Sequence, residues 1–97
     1  MNAIITIYAL ATLLISGEPR DFYSQQLTFQ NRTQCIEFFQ GNKAQLMNGL
    51  KEHARKTYES EVEIAEAGCA LVDFSRVTAG GKPTIIQKVS LYNASSI

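Results

Sequence analysis

The stretch AIITIYALATLLI, residues 3–15, decides the fold because it is the most apolar run of the chain. Its odd positions are all apolar, whereas its even positions mix apolar and polar side chains. Side chains alternate between the two faces of a strand, so this pattern predicts a central strand with one face buried and the other partly buried. Thirteen residues are many for one strand, and a bend or bulge is therefore expected. The odd set is Ala3, Ile5, Ile7, Ala9, Ala11, Leu13 and Ile15; the even set is Ile4, Thr6, Tyr8, Leu10, Thr12 and Leu14.

Two other interpretations of this run were weighed. A membrane span needs about 20 apolar residues, and this run is too short for one. A signal peptide has an apolar segment of about this length, but it also needs a positively charged start. No Lys or Arg precedes Arg20. We therefore favour a strand in a cytoplasmic protein, and a secreted or periplasmic protein is the alternative if the run is a signal peptide.

The composition is that of one folded domain, which we place over residues 1–97. A hydrophobic fraction of 45% with 19% charged residues argues against disorder. The formal net charge is zero, so long-range attraction to nucleic acid or to an anionic membrane is not expected. Neither is predicted as a partner.

The segment after the run predicts a hairpin and then a helix. Gly17 and Pro19 signal a turn that leads into a second strand over residues 22–29. The polar centre of this second strand favours the edge of a sheet. Asn31 and Gln34 have the spacing of a helix capping box, so a helix is expected to start there.

The helix is predicted to continue to about residue 59. Gly41 and Gly49 would each cost ~1 kcal/mol against Ala, and we attribute both to close packing of the helix on the sheet. A break near Gly41 and Asn42, giving two helices, is the alternative to the single helix that we favour. The apolar positions at helical spacing are Cys35, Phe39, Leu46, Leu50 and Ala54.

Two further strands follow the helix. The third runs through the acidic segment 59–66 to Phe74, and its alternation slips near Gly68, which suggests a bulge. A loop with Gly80 and Gly81 leads to a fourth strand over residues 84–92. Because sequential strands form hairpins and the helix is a long connection, we expect the sheet order 2-1-3-4.

The predicted fold class is α+β, with a four-stranded, mainly antiparallel sheet (β-β-α-β-β) and one long helix packed on one face. The opposite face of the sheet has no remaining segment to cover it. An uncovered, partly apolar sheet face is a candidate interface. The candidate interface residues are Tyr8, Leu10, Thr12 and Leu14.

Residues with reactive side chains are few. Cys35 and Cys69 are expected in one core region, either as a disulfide or as two buried thiols. His53 is the only histidine, and no spacing of Cys or His residues predicts zinc. No catalytic residue, metal or cofactor is therefore predicted.

The turn Ser16-Gly17-Glu18, a cysteine at the start of the helix (Cys35) and a second cysteine in the next strand (Cys69) form a pattern. It resembles that of small uncharacterised phage and prophage proteins, over roughly the first seventy residues. Those proteins have no established activity to transfer. The resemblance implies a short, non-catalytic inhibitor that acts by surface contact with a host protein.

Two classes of function remain at this stage. The first is a non-catalytic protein-binding module whose partner is a host protein or a second copy of the chain, as a homodimer. The alternative is a small secreted or periplasmic disulfide-containing domain, or a small ligand-binding or enzymatic domain. The lack of a recognisable catalytic or cofactor motif favours the first.

Overall fold

The computed structural model describes residues 3–77 and 81–94, apart from the side chains of Gln25 and Gln26. All strand pairs are antiparallel within these residues, and the sheet order is β2-β1-β3-β4. The α+β class and the antiparallel sheet are confirmed, with the apolar first strand in the interior as expected. The elements are β1 (Ala3–Leu13), β2 (Pro19–Phe29), α1 (Arg32–Gly41), α2 (Lys43–Tyr58), β3 (Val62–Val77) and β4 (Pro83–Asn93).

The prediction of one unbroken helix is wrong, because Asn42 separates α1 from α2. Its backbone (φ −129°, ψ 21°) leaves the helical region, and its N–H donates to the carbonyl oxygens of Phe38 and Phe39. Its side-chain amide also donates to the Phe38 oxygen at 3.0 Å. A short polar side chain that satisfies the preceding carbonyls competes with helix continuation, and Gly41 before it adds a low helix propensity.

The main core lies between the helices and the odd-numbered face of β1. Phe39 of α1 is fully buried there. Cys35 of α1 and Cys69 of β3 are joined by a disulfide with a Cα–Cα distance of 6.1 Å, so of the two alternatives for these cysteines the structure has the bonded one. The buried members of this core are Ile7, Ala9, Ala11, Leu13, Cys35, Phe39, Ala54, Val62, Ile64, Ala67 and Cys69.

The slip in alternation near Gly68 corresponds to a bulge at Ala65 of β3, which is the extra residue opposite the step from Leu10 to Ala11 of β1. Gly68 itself lies opposite a bulge in β4, where Leu91 is the extra residue. The pairing of β3 with β4 shifts between Ala67 and Gly68. A Cβ atom on Gly68 would overlap the carbonyl oxygen of Val89 and come within 2.9 Å of the Leu91 nitrogen. Only glycine allows β4 to approach this closely.

The face of the sheet opposite the helices was expected to be uncovered, but the β3–β4 hairpin folds over part of it. Tyr23 pairs with Tyr8, which pairs with Gly68, and Phe74 lies six residues further along β3. In a straight strand, Phe74 would lie about 20 Å along β3 from Gly68 and so from the Tyr23–Tyr8 pair. The ring centroids of Tyr23 and Phe74 are nevertheless 6.0 Å apart, so β3 must bend back over the sheet.

Two irregularities in the β3–β4 pairing accompany this bend. The register shifts between Leu71 and Val72 and again between Asp73 and Val77. Bulges bend a strand and increase its twist. At the far end of the hairpin, the Lys82 ammonium lies 3.3 Å from a carboxylate oxygen of Asp21 on β2. The hairpin therefore closes a second, smaller apolar cluster, made of Tyr8, Ala70 and Val72 with Leu10, Tyr23, Phe74 and Ile85 packed against them.

Candidate functional site

An apolar groove of about 490 Å³ lies between α2 and strands β1 and β2. The helix wall is built from Leu46 and Met47 on one turn of α2 and Leu50 on the next. These three side chains are only half-buried. The chain therefore leaves apolar surface on both sides of a gap. The sheet side of the groove includes Ile7, Ala9, Phe22, Leu27 and Ala67, and Phe39 of α1 lies at its base.

The groove exists because α2 packs less closely on the sheet than α1 does. Of the described side chains of α2, Ala54 alone is buried. Gly49 lines the groove, and apart from the adjoining residues and backbone of its own helix no described atom lies within 4 Å of the position of a Cβ there. The same is true of Gly41. Close packing on the sheet was our explanation for both glycines, and the open space around them contradicts it.

A wide bulge in β2 borders the groove. Thr28 pairs with Thr6 and Tyr23 pairs with Tyr8, so residues 24–27 oppose Ile7 alone. The buried Thr6 hydroxyl lies within hydrogen-bonding distance of the Ser24 carbonyl and 3.0 Å from the Leu27 carbonyl. The Leu27 N–H donates to the Ser24 hydroxyl at 3.2 Å. These bonds hold the bulge in one shape beside the groove.

The four candidate interface residues do not share one open surface. Tyr8 is 1% exposed and packs into the second apolar cluster. It is therefore not available to a partner, as the prediction of an uncovered sheet face required. Leu10 and Thr12 are half-buried. Leu14 is 58% exposed, but it lies past the end of β1, in the turn before β2. The alternation pattern placed Tyr8, Leu10 and Thr12 within β1 but wrongly extended the strand to Leu14, and it could not show that the hairpin covers part of this face.

Tyr8, Glu66 and Lys88 form a polar network within that face. The Tyr8 hydroxyl donates to the Glu66 carboxylate, and the Lys88 ammonium lies 3.0 Å from the same carboxylate oxygen. Burial raises the pKa of Tyr8, and the bond to Glu66 raises it further. The same hydrogen bond, with help from Lys88, lowers the pKa of Glu66. Tyr8 is thus neutral and Glu66 ionised near pH 7, a state suited to holding strands together rather than to proton transfer.

His53 is the histidine of the groove lining. His53 is exposed, and its ring stands edge-on to Phe22 with centroids 6.0 Å apart. In residues 3–77 and 81–94, no cluster of three His, Cys, Asp or Glu side chains is arranged to hold a metal. No helix in this part of the chain is long and apolar enough to cross a membrane.

Comparison with known proteins gives no further guide to this site. No protein-family model, no curated protein and no solved structure matches the chain. The groove was also missed by sequence reasoning, which placed Leu46 and Leu50 on the apolar side of a helix that packs closely on the sheet. Gly49, a residue without a side chain on the apolar side of a helix, was the signal that could have indicated a gap.

Proposed function

We propose that this chain is a small, non-catalytic protein-binding module that acts by stoichiometric contact through the α2 groove. The observation that carries the proposal is the apolar gap between α2 and the sheet. Protein interiors are close-packed, and side chains that line an unfilled gap lose their contacts on one side. Apolar side chains of a partner would restore those contacts and remove apolar surface from water.

The rim of the groove favours a protein partner. Gln45, Ser24 and His53 lie among the apolar lining residues and carry hydrogen-bonding groups. An apolar centre with a polar, accessible rim is the arrangement found in protein–protein interfaces. The partner we propose is a host protein or a second copy of the chain. Inhibition of a host protein is the form that the resemblance to phage proteins suggests.

The compartment is part of the proposal. The disulfide between Cys35 and Cys69 supports the secreted or periplasmic alternative over the cytoplasm, since disulfides persist mainly in oxidising compartments.

A small apolar ligand is the second candidate for the groove. Its volume of about 490 Å³ falls within the range of about 300–1,000 Å³ that is usual for small-molecule sites. This ligand-binding alternative predicts that an apolar compound binds with one-to-one stoichiometry and without any protein partner.

The test fills the groove without disturbing the fold. Gly49→Leu adds a side chain whose Cβ has no described atom within 4 Å outside the adjoining helix, and Leu has a higher helix propensity than Gly. Gly41→Leu is the matched control, since Gly41 also has open space around it but does not line the groove. Purified wild type and both variants would be compared by sedimentation and by capture of partners from a host extract.

We expect the Gly49→Leu variant to lose the wild-type interactions and the Gly41→Leu variant to keep them, with both folded by circular dichroism. A Gly49→Leu variant that keeps every interaction of the wild type would overturn the proposal. Binding of an apolar compound by the wild type, with no protein partner and no self-association, would favour the ligand-binding alternative.

A further inference from the structure

We infer that the partner is an extended segment of another protein, which adds to the outer edge of β2 as a further strand and places every second side chain in the α2 groove. This inference rests on the proposed function and names the form of its partner. It concerns residues 19–23 of β2, where the α2 groove meets a second cavity.

The outer edge of β2 has backbone groups that no described strand pairs with, since β2 ends the sheet order β2-β1-β3-β4. Hydrogen-bonded and non-hydrogen-bonded residue pairs alternate along an antiparallel ladder. The Leu13 N–H donates to the Glu18 carbonyl at 2.9 Å, and counting in twos from this pair makes Phe22 a hydrogen-bonded residue. The N–H and C=O groups of Asp21 and Tyr23 therefore point away from β1.

A space that we call the β2 slot runs along this edge at residues 21–23. Phe22, Tyr23 and His53 line both the α2 groove and a second cavity of about 380 Å³, so the two spaces meet at β2. The second cavity is also lined by Tyr58 of α2 and by Pro83 of the β3–β4 hairpin. The slot thus lies between a helix wall and a hairpin wall.

Both walls of the β2 slot are held by contacts with β2 itself. The Phe22 ring stands edge-on to the Tyr58 ring of α2, with centroids 6.2 Å apart. On the other face of β2, the Tyr23 ring stands edge-on to the Phe74 ring of the hairpin, with centroids 6.0 Å apart. A slot whose walls are in place before binding loses little conformational entropy on association.

The backbone of the β2 slot selects an extended segment as its occupant. The outward groups of Asp21 and Tyr23 present donors and acceptors at the spacing of a strand, and an added strand can pair with each of them. A helix uses its backbone groups internally and has none to offer along its length. An edge strand of a second folded copy would bring its own sheet and helices against the two walls. A free segment of another protein meets neither obstacle.

The two faces of an added strand would meet different surroundings, because successive side chains point to opposite sides. Those on the helix side enter the α2 groove, whose described lining residues include no Asp, Glu, Lys or Arg. Those on the hairpin side lie near the Asp21 carboxylate and the Tyr23 hydroxyl. We therefore expect a segment that alternates apolar and polar residues. The segment is short, because the bulge at residues 24–27 ends the regular edge.

The test uses the full, oxidised chain and a library of hexapeptides that are acetylated and amidated, so that their ends carry no charge. Hydrogen exchange is followed by NMR in the free protein and in its complex with the tightest hexapeptide. The amide hydrogens of Asp21 and Tyr23 should exchange about tenfold more slowly, or slower still, in the complex. Arg20 and Phe22, which already bond to β1, are the internal control and should change less.

Methylation of the peptide backbone tests the ladder directly, because each methyl group removes one N–H. At the positions that face β2 it should weaken binding about tenfold, and at the positions between them it should change binding little. Gly49→Leu should weaken binding at least as much, since its side chain occupies the groove. Gly41→Leu, which lies outside the groove, should bind as the wild type does.

The inference fails if no hexapeptide binds more tightly than about 1 mM, if methylation has no alternating effect, or if Asp21 and Tyr23 stay unprotected in the complex. A wild type that dimerises with the same two amides protected would overturn a free segment as the partner. Binding that is lost in Gly49→Leu without protection of those amides would overturn strand addition and leave the proposed function standing. Protected amides with full binding by Gly49→Leu would overturn the α2 groove as the site, and both proposals with it.

Discussion

The two faces of the sheet are covered by different elements. The face under the helices is less tightly packed than a helical layer suggests, and the face without a helix is more buried than expected. The face under the helices has a disulfide and the fully buried Phe39, yet it keeps a groove of about 490 Å³ beside α2. The opposite face has no helix, yet its Tyr8 and Val72 are almost completely buried beneath a hairpin of the same sheet.

This difference shows that coverage and close packing are separate properties. A helix can lie over a sheet and still leave a gap when few of its side chains are fully buried. Of the described side chains of α2 only Ala54 is buried, whereas Leu46, Met47 and Leu50 pack against the core and stay half-buried. A bent hairpin can bury part of a sheet face without a helix, as the burial of Tyr8 shows. The binding surface is therefore expected on the helix side.

The largest expected effect on stability comes from comparing a side chain of α1 with one of α2. Phe39→Ala removes a fully buried ring beside the disulfide and should lower the free energy of unfolding by about 3–5 kcal/mol. Leu46→Ala, on the half-buried wall of the groove, should cost less than about 2 kcal/mol. Denaturant unfolding measures both. Equal costs would show that α2 is packed as tightly as α1.

The disulfide should account for the next largest effect. Its cysteines are 34 residues apart, and closing a loop of that length stabilises a fold by about 3–4 kcal/mol in the chain-entropy treatment. We expect the Cys35→Ser, Cys69→Ser variant to unfold at correspondingly lower denaturant concentration. Thiol titration of the oxidised, denatured protein is the control and should detect no free thiol. Unchanged stability in the double variant would mean that the packing of Phe39 and its neighbours is enough to hold α1 on the sheet without the disulfide.

The opposite face should be the more sensitive one to alkaline pH. Burial and the nearby Asp21 carboxylate raise the pKa of Tyr23 to about 12 from its ordinary value of 10.0. The neutral form is favoured in the folded state, so its contribution to stability is complete below pH 10 and is lost as the pH rises from 10 to about 12. Tyr23→Phe should reduce this alkaline loss of stability. The effect should be smaller than that of the disulfide, because Tyr23 is partly exposed.

A parallel loss of stability in wild type and Tyr23→Phe would contradict this assignment. Tyr8, whose pKa is also raised, would then be the group to examine by a Tyr8→Phe substitution.

The smallest expected effect is a gain in folding stability. Gly49→Ala should stabilise the fold by up to ~1 kcal/mol, because Ala favours the helix and its Cβ meets no described atom within 4 Å. The same change at Gly68 should destabilise it, because the Cβ would overlap the Val89 carbonyl. Thermal unfolding of the two variants gives the signs directly. A loss of stability in Gly49→Ala would mean that the groove is narrower than described.

The α+β class and the sheet order were predictable, because each depends on local patterns. The alternation in residues 3–15 indicated a central strand, and the slip near Gly68 indicated the bulge that the structure has at Ala65, three residues earlier. The sequence alone does not decide between one helix and two, because helical spacing continues across Asn42 and periodicity does not show which group hydrogen-bonds to the Phe38 carbonyl. The groove could not be predicted, since apolar spacing shows which side of α2 faces inward and not how far away the sheet lies.

The sequence by itself determined which side chains share a face, where the chain turns and where the apolar central strand lies, because these follow from the two-residue period of a strand and from local turn chemistry. Only the tertiary structure decided that Cys35 meets Cys69, that Phe74 folds back onto Tyr23 and that α2 leaves a groove open. Those outcomes depend on the bend of β3 and on the break at Asn42. The bend of β3 results from contacts between residues distant in the sequence, and the break at Asn42 results from competition for one carbonyl. Neither produces a periodic pattern in the sequence.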